Sequence, residues 1–342
     1  MSDRLQIPCD LAAWHRWSAT QHRLRTLRSR VRPSPEGRPV TTYRNSAEPA
    51  TLIVSVASTS TSARAALFAP LNRLDDTSIA VITDVDLADL LPTWEAGTDA
   101  WRPLLASARA VLGDGHYLKL GHEIWSASRE RDIPYFVSQH GALTPLAPPL
   151  PPGAHLLAWS DADAAFWASG RADVKATTVG SQLLWEASVA RRGQGSSSGP
   201  SDAITYAGQL HGAEMPRWGM TRAALAFCRA NGAHYRPHPG ERDRLSRAAH
   251  VAFARAGVQL DTAEGPLSAL PGGLVSVFST SVLEAAACGR PAWVDYPHPP
   301  PWLAAFWARY GMRRWGEEPT PPPCLPTEEP ASRIREVVLG AT

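Results

Sequence analysis

A chain of 342 residues that is 44% hydrophobic and 19% charged is globular, and long enough for two core-bearing α/β domains of ~100–200 residues each. Its net charge of +2 gives no global reason to expect nucleic acid as a partner, and no stretch approaches the ~18 apolar residues that a bilayer span needs. Cys9, Cys228, Cys288 and Cys324 are scattered without Cys-x-x-Cys or zinc-type spacing, and Met1-Ser2-Asp3-Arg4 opens no secretory signal, so the expectation is a reduced cytoplasmic protein.

Residues 11 to 35 hold Arg16, Arg23, Arg25, Arg28, Arg30 and Arg32 and no acid. Trp14, Trp17, Leu24, Leu27 and Val31 recur at near-helical spacing, which predicts a basic amphipathic helix. Two readings stand: a helix packed on the first domain with a solvated basic face, or peripheral contact with an anionic membrane surface, which would place the protein at the inner face of the membrane. From Thr51 an α/β rhythm begins, with strands expected at 51–57, 79–82, 110–112, 135–138, 155–159 and 173–179 and helices at 63–74 and 86–92. The stretch 191–202, rich in Gly and Ser, reads as a linker. The rhythm then restarts: strands at 203–207, 233–236, 258–260, 274–278 and 292–295, helices at 217–230, 241–256, 281–288 and 302–310, and a last helix from Ser332.

This alternation predicts two Rossmann-like domains with mainly parallel sheets facing across a cleft. The boundaries expected are 1–190 for an acceptor domain with its basic extension, 203–312 for a nucleotide-donor domain, and 313–342 for a Pro-rich tail and terminal helix. Neither half carries Gly-x-Gly-x-x-Gly or a Walker-type loop, which demotes dehydrogenases and P-loop kinases. The first half has Ser58-Thr59-Ser60-Thr61-Ser62 after its first strand; Ser58, Thr59 and Ser60 are candidates for the acceptor side, and N-capping accounts for at least one of them.

The strongest local signal is the strand-like Leu274–Phe278 followed by Ser279-Thr280-Ser281 and the Ala-rich run that ends at Gly289-Arg290-Pro291. Hydroxyls and unpaired N–H groups at such a helix start suit donor phosphates, while Ser281-x-x-Glu284 also fits a capping box. Some forty residues earlier, Pro237 and Pro239 end a strand and hold His238 at its carboxyl end, the edge where open α/β sheets bind ligands. Gly208 and Gln209, after strand 203–207, complete the expected donor site, and Glu284 is a candidate for the ribose hydroxyls.

His238-Pro239 with Ser279-Thr280-Ser281 resembles the motif pair of bacterial sialyltransferases and polysialyltransferases, and of teichoic-acid glycerophosphotransferases that use CDP-glycerol. Gln139-His140-Gly141 is similar to the X-His-Gly motif of the teichoic-acid and capsule-assembly enzymes. The likeness covers roughly residues 110–300 and implies the two-domain GT-B architecture. The acid-acid-Gly motif that holds the sialyltransferase base appears only as Gly113-Asp114-Gly115, without its first carboxylate.

The resulting expectation is a metal-independent glycosyl or glycerophosphoryl transferase with no cofactor. Its partners would be a CMP-, CDP- or UDP-linked donor and a glycan or polyol-phosphate acceptor, not nucleic acid. His140 is the first candidate for the base and Asp114 the second. Asp84-Val85-Asp86 has the Asp-x-Asp form of metal-dependent transferases, but Asp161-Ala162-Asp163 shows how easily that pattern recurs. The alternatives are a nucleotide-sugar 2-epimerase of the same fold and a non-catalytic nucleotide- or glycan-binding protein.

Overall fold

The computed structural model describes residues 10–21, 39–74, 77–193, 203–210, 214–262 and 270–340. The chain folds as two compact α/β units: the first runs up to Leu183 and resumes at Pro326, and the second is Leu184–Leu325.

In the first unit, helix α1 (Leu11–Gln21) precedes β1 (Thr41–Arg44), β2 (Leu52–Val56), β3 (Ile79–Thr83), β4 (Glu95–Gly97), β5 (Ala110–Gly113), β6 (Tyr135–Ser138), β7 (His155–Ala158) and β8 (Lys175–Thr178). The sheet order is β4-β1-β3-β2-β5-β6-β7-β8; β2, β3 and β5 to β8 run parallel, whereas β1 pairs antiparallel with β3 and β4. Its central strands are continuous apolar runs because both faces are covered. Ile53, Val111 and Val137 point into one core with Ile124 of α3 (Lys119–Arg129), and Val54, Leu112 and Phe136 point into the other.

Helix α2 begins at the Ser60 cap as Thr61–Ala63, passes through a π segment at Arg64–Phe68 and ends as Ala69–Leu71. Pro70 has no N–H to give the carbonyl of Ala66, and Ser138 Oγ donates to that carbonyl instead at 3.2 Å. Helix α4 (Asp161–Ala168) packs against β7 and β8, and α5 (Gln182–Gly193) leads into the second unit.

The second unit holds β9 (Ile204–Ala207), α6 (Arg217–Asn231), β10 (His234–Arg236), α7 (Arg244–Arg255), β11 (Gly273–Ser276), α8 (Thr280–Ala287), β12 (Ala292–Val294) and α9 (Pro301–Arg309). Its four strands are all parallel in the order β10-β9-β11-β12, with Leu260 bridging Tyr235 outside β10. Counting Leu260, the order is that of a Rossmann half, 3-2-1-4-5. Tyr206, Phe227, Tyr235 and Phe253 fill its core, with ring centroids 5.3 Å apart for Tyr206–Phe227 and 4.7 Å for Tyr235–Phe253.

Helix α10 (Pro330–Leu339) belongs to the first unit: Ile334 and Val338 join its core, Ala331 N–H donates to Gln182 Oε1 at 2.9 Å, and Arg73 pairs with Glu329 at 2.9 Å. Residues 313–325 of the expected tail stay with the second unit.

Several expectations are corrected. Residues 86–92 form turns, not a helix: Leu90 and Leu91 N–H both reach Leu87 O at 2.9 Å, and Pro92 stops any continuation. The strand expected at 258–260 is reduced to the Leu260 bridge. The edge strands β1 and β4 were not expected, since Thr41–Arg44 and Glu95–Gly97 are short and weakly apolar. Trp14 of α1 donates from Nε1 to Leu146 O at 2.7 Å and meets Tyr117 edge-on, so this part of the basic segment packs on the first unit. The rest of that segment, residues 22–35, lies outside the described residues, as does 194–202 of the expected linker.

Candidate functional site

In the second unit the strand order reverses between β9 and β11, and the loops leaving those two strands define the crevice of this sheet. Gln209 spans it. Its Oε1 accepts the Phe278 N–H at 2.9 Å and lies 3.1 Å from Ser276 Oγ, which donates to Ala207 O. Gly208 sits where a Cβ would fall 2.3 Å from the Tyr235 hydroxyl and 2.7 Å from Glu241 Oε1, so close packing requires glycine there.

Sequence reasoning missed the group beneath this loop. The buried carboxylate of Glu241 accepts from Leu210 N–H at 2.9 Å and from the Tyr235 hydroxyl at 3.0 Å, and His250 Nε2 lies 2.8 Å from Oε2. Burial and this carboxylate push the Tyr235 hydroxyl far above its ordinary pKa. The Glu241 N–H donates to His238 O at 2.8 Å, so one residue fixes both the loop after β9 and the loop after β10. In sequence Glu241 is indistinguishable from a surface acid at a helix start; only strand pairing reveals it.

His238 and Pro239 are exposed at the carboxyl end of β10. His238 Nδ1 accepts the Gly240 N–H at 2.9 Å, which in the neutral ring places the proton on Nε2. The N-cap of α8 is Ser279, whose Oγ accepts the Ser281 N–H at 3.2 Å, so the Ser281-x-x-Glu284 capping box does not form. Ser281 Oγ is buried and has no hydrogen-bond partner. Thr280 is the first helical residue, and Glu284 falls on the second turn, where burial raises its pKa against the opposing charge of Arg290.

The first unit repeats the scheme. Its order reverses between β2 and β5, and Asp114, only 3% exposed, accepts the Ala57 N–H at 3.2 Å across that point. A Cβ on Gly113 would lie 2.7 Å from the Tyr135 hydroxyl and 3.2 Å from Ser55 Cβ, so the carboxylate missing from the acid-acid-Gly pattern has no room here. Burial raises the Asp114 pKa, with the charge of His140 and backbone N–H donors pulling it down.

His140 leaves the neighbouring strand β6 in a loop clamped by Gln139. Gln139 Nε2 donates to Gly141 O at 3.0 Å and Asp163 Oδ2 at 3.1 Å, while its Oε1 accepts Trp159 N–H at 2.8 Å. The ring of His140 is half-buried and its Nδ1 has no partner. His116, whose place in the sequence makes it a weaker candidate than His140 or Asp114, is buried with Nε2 2.8 Å from Pro149 O, and burial drops its pKa to about 4.

Not all candidates converge. Ser58 Oγ accepts the Ser60 N–H at 3.1 Å, Ser60 caps α2, and Thr59 O accepts from Arg64, so these residues are occupied in shaping the turn. Asp86 accepts the Ala88 N–H at 3.0 Å and lies 3.5 Å from the Tyr43 hydroxyl as a turn residue. Among the described residues no group of three His, Cys, Asp or Glu side chains is placed to hold a metal ion.

No protein-family model and no curated protein matches the sequence. Among solved structures, the chain is similar to the UDP-GlcNAc 2-epimerase from Methanocaldococcus jannaschii, at 11% identity and a TM-score of 0.46 over 84% of this chain and 99% of that one. It is also similar to Phytolacca americana UGT2 in complex with UDP-2fluoro-glucose and pterostilbene, at 14% identity and a TM-score of 0.39 over 86% and 91% of the two chains.

Proposed function

We propose that the chain is a GT-B-type transferase that moves a glycosyl or glycerophosphoryl group from a nucleotide-activated donor to a hydroxyl of a glycan or polyol-phosphate acceptor. The observation that carries this reading is the unpartnered, buried Ser281 hydroxyl at the N-terminus of α8, on the same carboxyl edge of the second sheet as the exposed imidazole of His238. Backbone N–H groups, hydroxyls and an imidazole together suit the phosphates of a nucleotide without requiring a metal ion. When the bond to the donor breaks, the nucleotide departs with the electron pair, and the same groups stabilise its added charge.

The acceptor hydroxyl must lose a proton as it attacks. His140, with a ring nitrogen free of protein partners and a backbone clamped by Gln139, is the proposed acceptor of that proton, and the Asp114 carboxylate is its electrostatic neighbour.

Titration with CMP, CDP, UDP and GDP, followed calorimetrically, tests the reading. His238→Ala should weaken the preferred nucleotide by about 1.5–3 kcal/mol, the scale of a hydrogen bond to a charged group, and leave the melting temperature unchanged. Unaltered affinity in that variant, or no binding by any of the four, would refute the donor site.

A further inference from the structure

In the second unit, right-handed crossovers place α6 and α7 side by side on one face of the sheet, and Arg217 ties them through Asp243 at 2.6 Å and Ser246 Oγ at 3.2 Å. Met220, Ala223, Ala224 and Phe227 point α6 into the core, and Phe253 does the same for α7. The opposite stripes face solvent, and their chemistry is unusual.

The two helices contain arginines but no aspartate or glutamate. Arg222, Arg229, Arg244, Arg247 and Arg255 are all exposed, while the nearby acids Glu241 and Asp243 are respectively buried and paired with Arg217. Among these cations stand large apolar side chains that water covers in the isolated chain. Trp218 is 73% exposed, Leu245 64% and Val251 49%. The Arg222 guanidinium lies 5.6 Å over the Trp218 ring, so the aromatic and the cation are presented together.

We propose that this α6–α7 face docks on an anionic lipid bilayer. The arginines match the phosphates of acidic headgroups, and Trp218, Leu245 and Val251 enter the boundary between headgroup and hydrocarbon, where an amphipathic aromatic ring is favoured. The apolar side chains distinguish a bilayer from a purely electrostatic polyanion: a polyphosphate would use the guanidinium groups and leave Trp218 and Leu245 in water. Because α6 and α7 begin at the carboxyl edge that carries His238 and Ser279, a docked unit holds that edge near the lipid surface. This surface is independent of the nucleotide reading and stands if that reading fails.

The test is sedimentation of the full chain with vesicles of phosphatidylcholine alone and of phosphatidylcholine containing one-third phosphatidylglycerol, at low and high salt. Binding should favour the anionic vesicles and weaken with salt. Arg244→Gln with Arg247→Gln should reduce it about 25-fold, at about fivefold for each cation near the surface. Trp218→Ala with Leu245→Ala should also lower it, with melting temperature and nucleotide affinity unchanged in both variants. Trp218→Phe should abolish the vesicle-induced blue shift of tryptophan emission. Equal binding to neutral and anionic vesicles would overturn the proposal, as would binding unaffected by these variants and lost instead on replacing Arg23, Arg25 and Arg28. Saturable capture of polyphosphate that withstands Trp218→Ala with Leu245→Ala, without vesicle binding, would assign the face to a polyanion and equally overturn it.

Discussion

Gln209 Oε1 accepts the backbone N–H of Phe278 at 2.9 Å, tying the loop after β9 to the loop after β11 across the reversal point of the second sheet. Asp114 does the same for Ala57 in the first. In both units the side chain that closes the crevice is also a wall of it. Gln209→Ala should leave the Phe278 N–H unpaired and cost about 1–3 kcal/mol of stability. Because Phe278 immediately precedes the α8 cap, nucleotide affinity should fall in the same variant. Gln209→Glu, which keeps the acceptor, should retain most of both; denaturant unfolding and calorimetry together read the two effects.

Gly208→Ala should be destabilising by about 1–3 kcal/mol, since its Cβ would press on the Tyr235 hydroxyl and Glu241 Oε1. Glu241→Ala should cost about 1–3 kcal/mol for each polar group it leaves without a partner, among them Leu210 N–H and the Tyr235 hydroxyl. A thermal melt no lower than that of the parent in either variant would refute the packing described.

His140→Ala should lower turnover roughly 10²–10⁴-fold, the range of general-base catalysis, with nucleotide affinity nearly intact. Asp114→Asn retains the oxygen that accepts from Ala57 and serves as the comparison. A large loss there with a mild one at His140 would transfer the role of base to the carboxylate.

Excess EDTA should leave turnover intact, because the donor phosphates are assigned to protein groups and a helix terminus. Activity abolished by EDTA and restored by magnesium or manganese would move attention to Asp84 and Asp86.

Acid and base act oppositely on two neighbours in the first unit. His116 has its pKa lowered to about 4 by burial, so its contribution to stability is complete above pH 6.5 and is lost as pH falls through 4, amounting to about 3 kcal/mol. Asp114 is raised, again mainly by burial, so the folded state holds its proton more tightly and stability declines as pH rises from 3.8 through the folded value. Urea midpoints should therefore rise less, or fall more, with pH between 4 and 6.5 in His116→Gln than in the parent. Asp114→Asn should be more stable than the parent at pH 7, with the advantage gone below pH 4.

The parallel strands were legible because double-sided burial writes them as apolar runs such as Leu52–Val56 and Ile79–Thr83. The antiparallel edge β1–β4 was not, since Thr41–Arg44 is half polar and owes its pairing to β3. The cap of α8 was misplaced by two residues, Ser281 for Ser279. Ser279, Thr280 and Ser281 are all good caps, and the choice is made by Gln209 holding Phe278, a contact 69 residues distant in sequence. Glu241 was invisible for the same reason: its partners Leu210, Tyr235 and His250 come from three separate segments.

The second unit interrupts the first, because α10 fills the core between α2 and β5 only after Leu184–Leu325 has been traversed. On the ribosome, then, the second unit has all its residues while the first still lacks Ile334 and Val338, leaving an apolar groove open until synthesis passes Leu339. A chain released at Leu325 would carry every residue of the second unit together with a first unit open to aggregation and proteolysis, so the order in which the segments emerge decides which unit can close first.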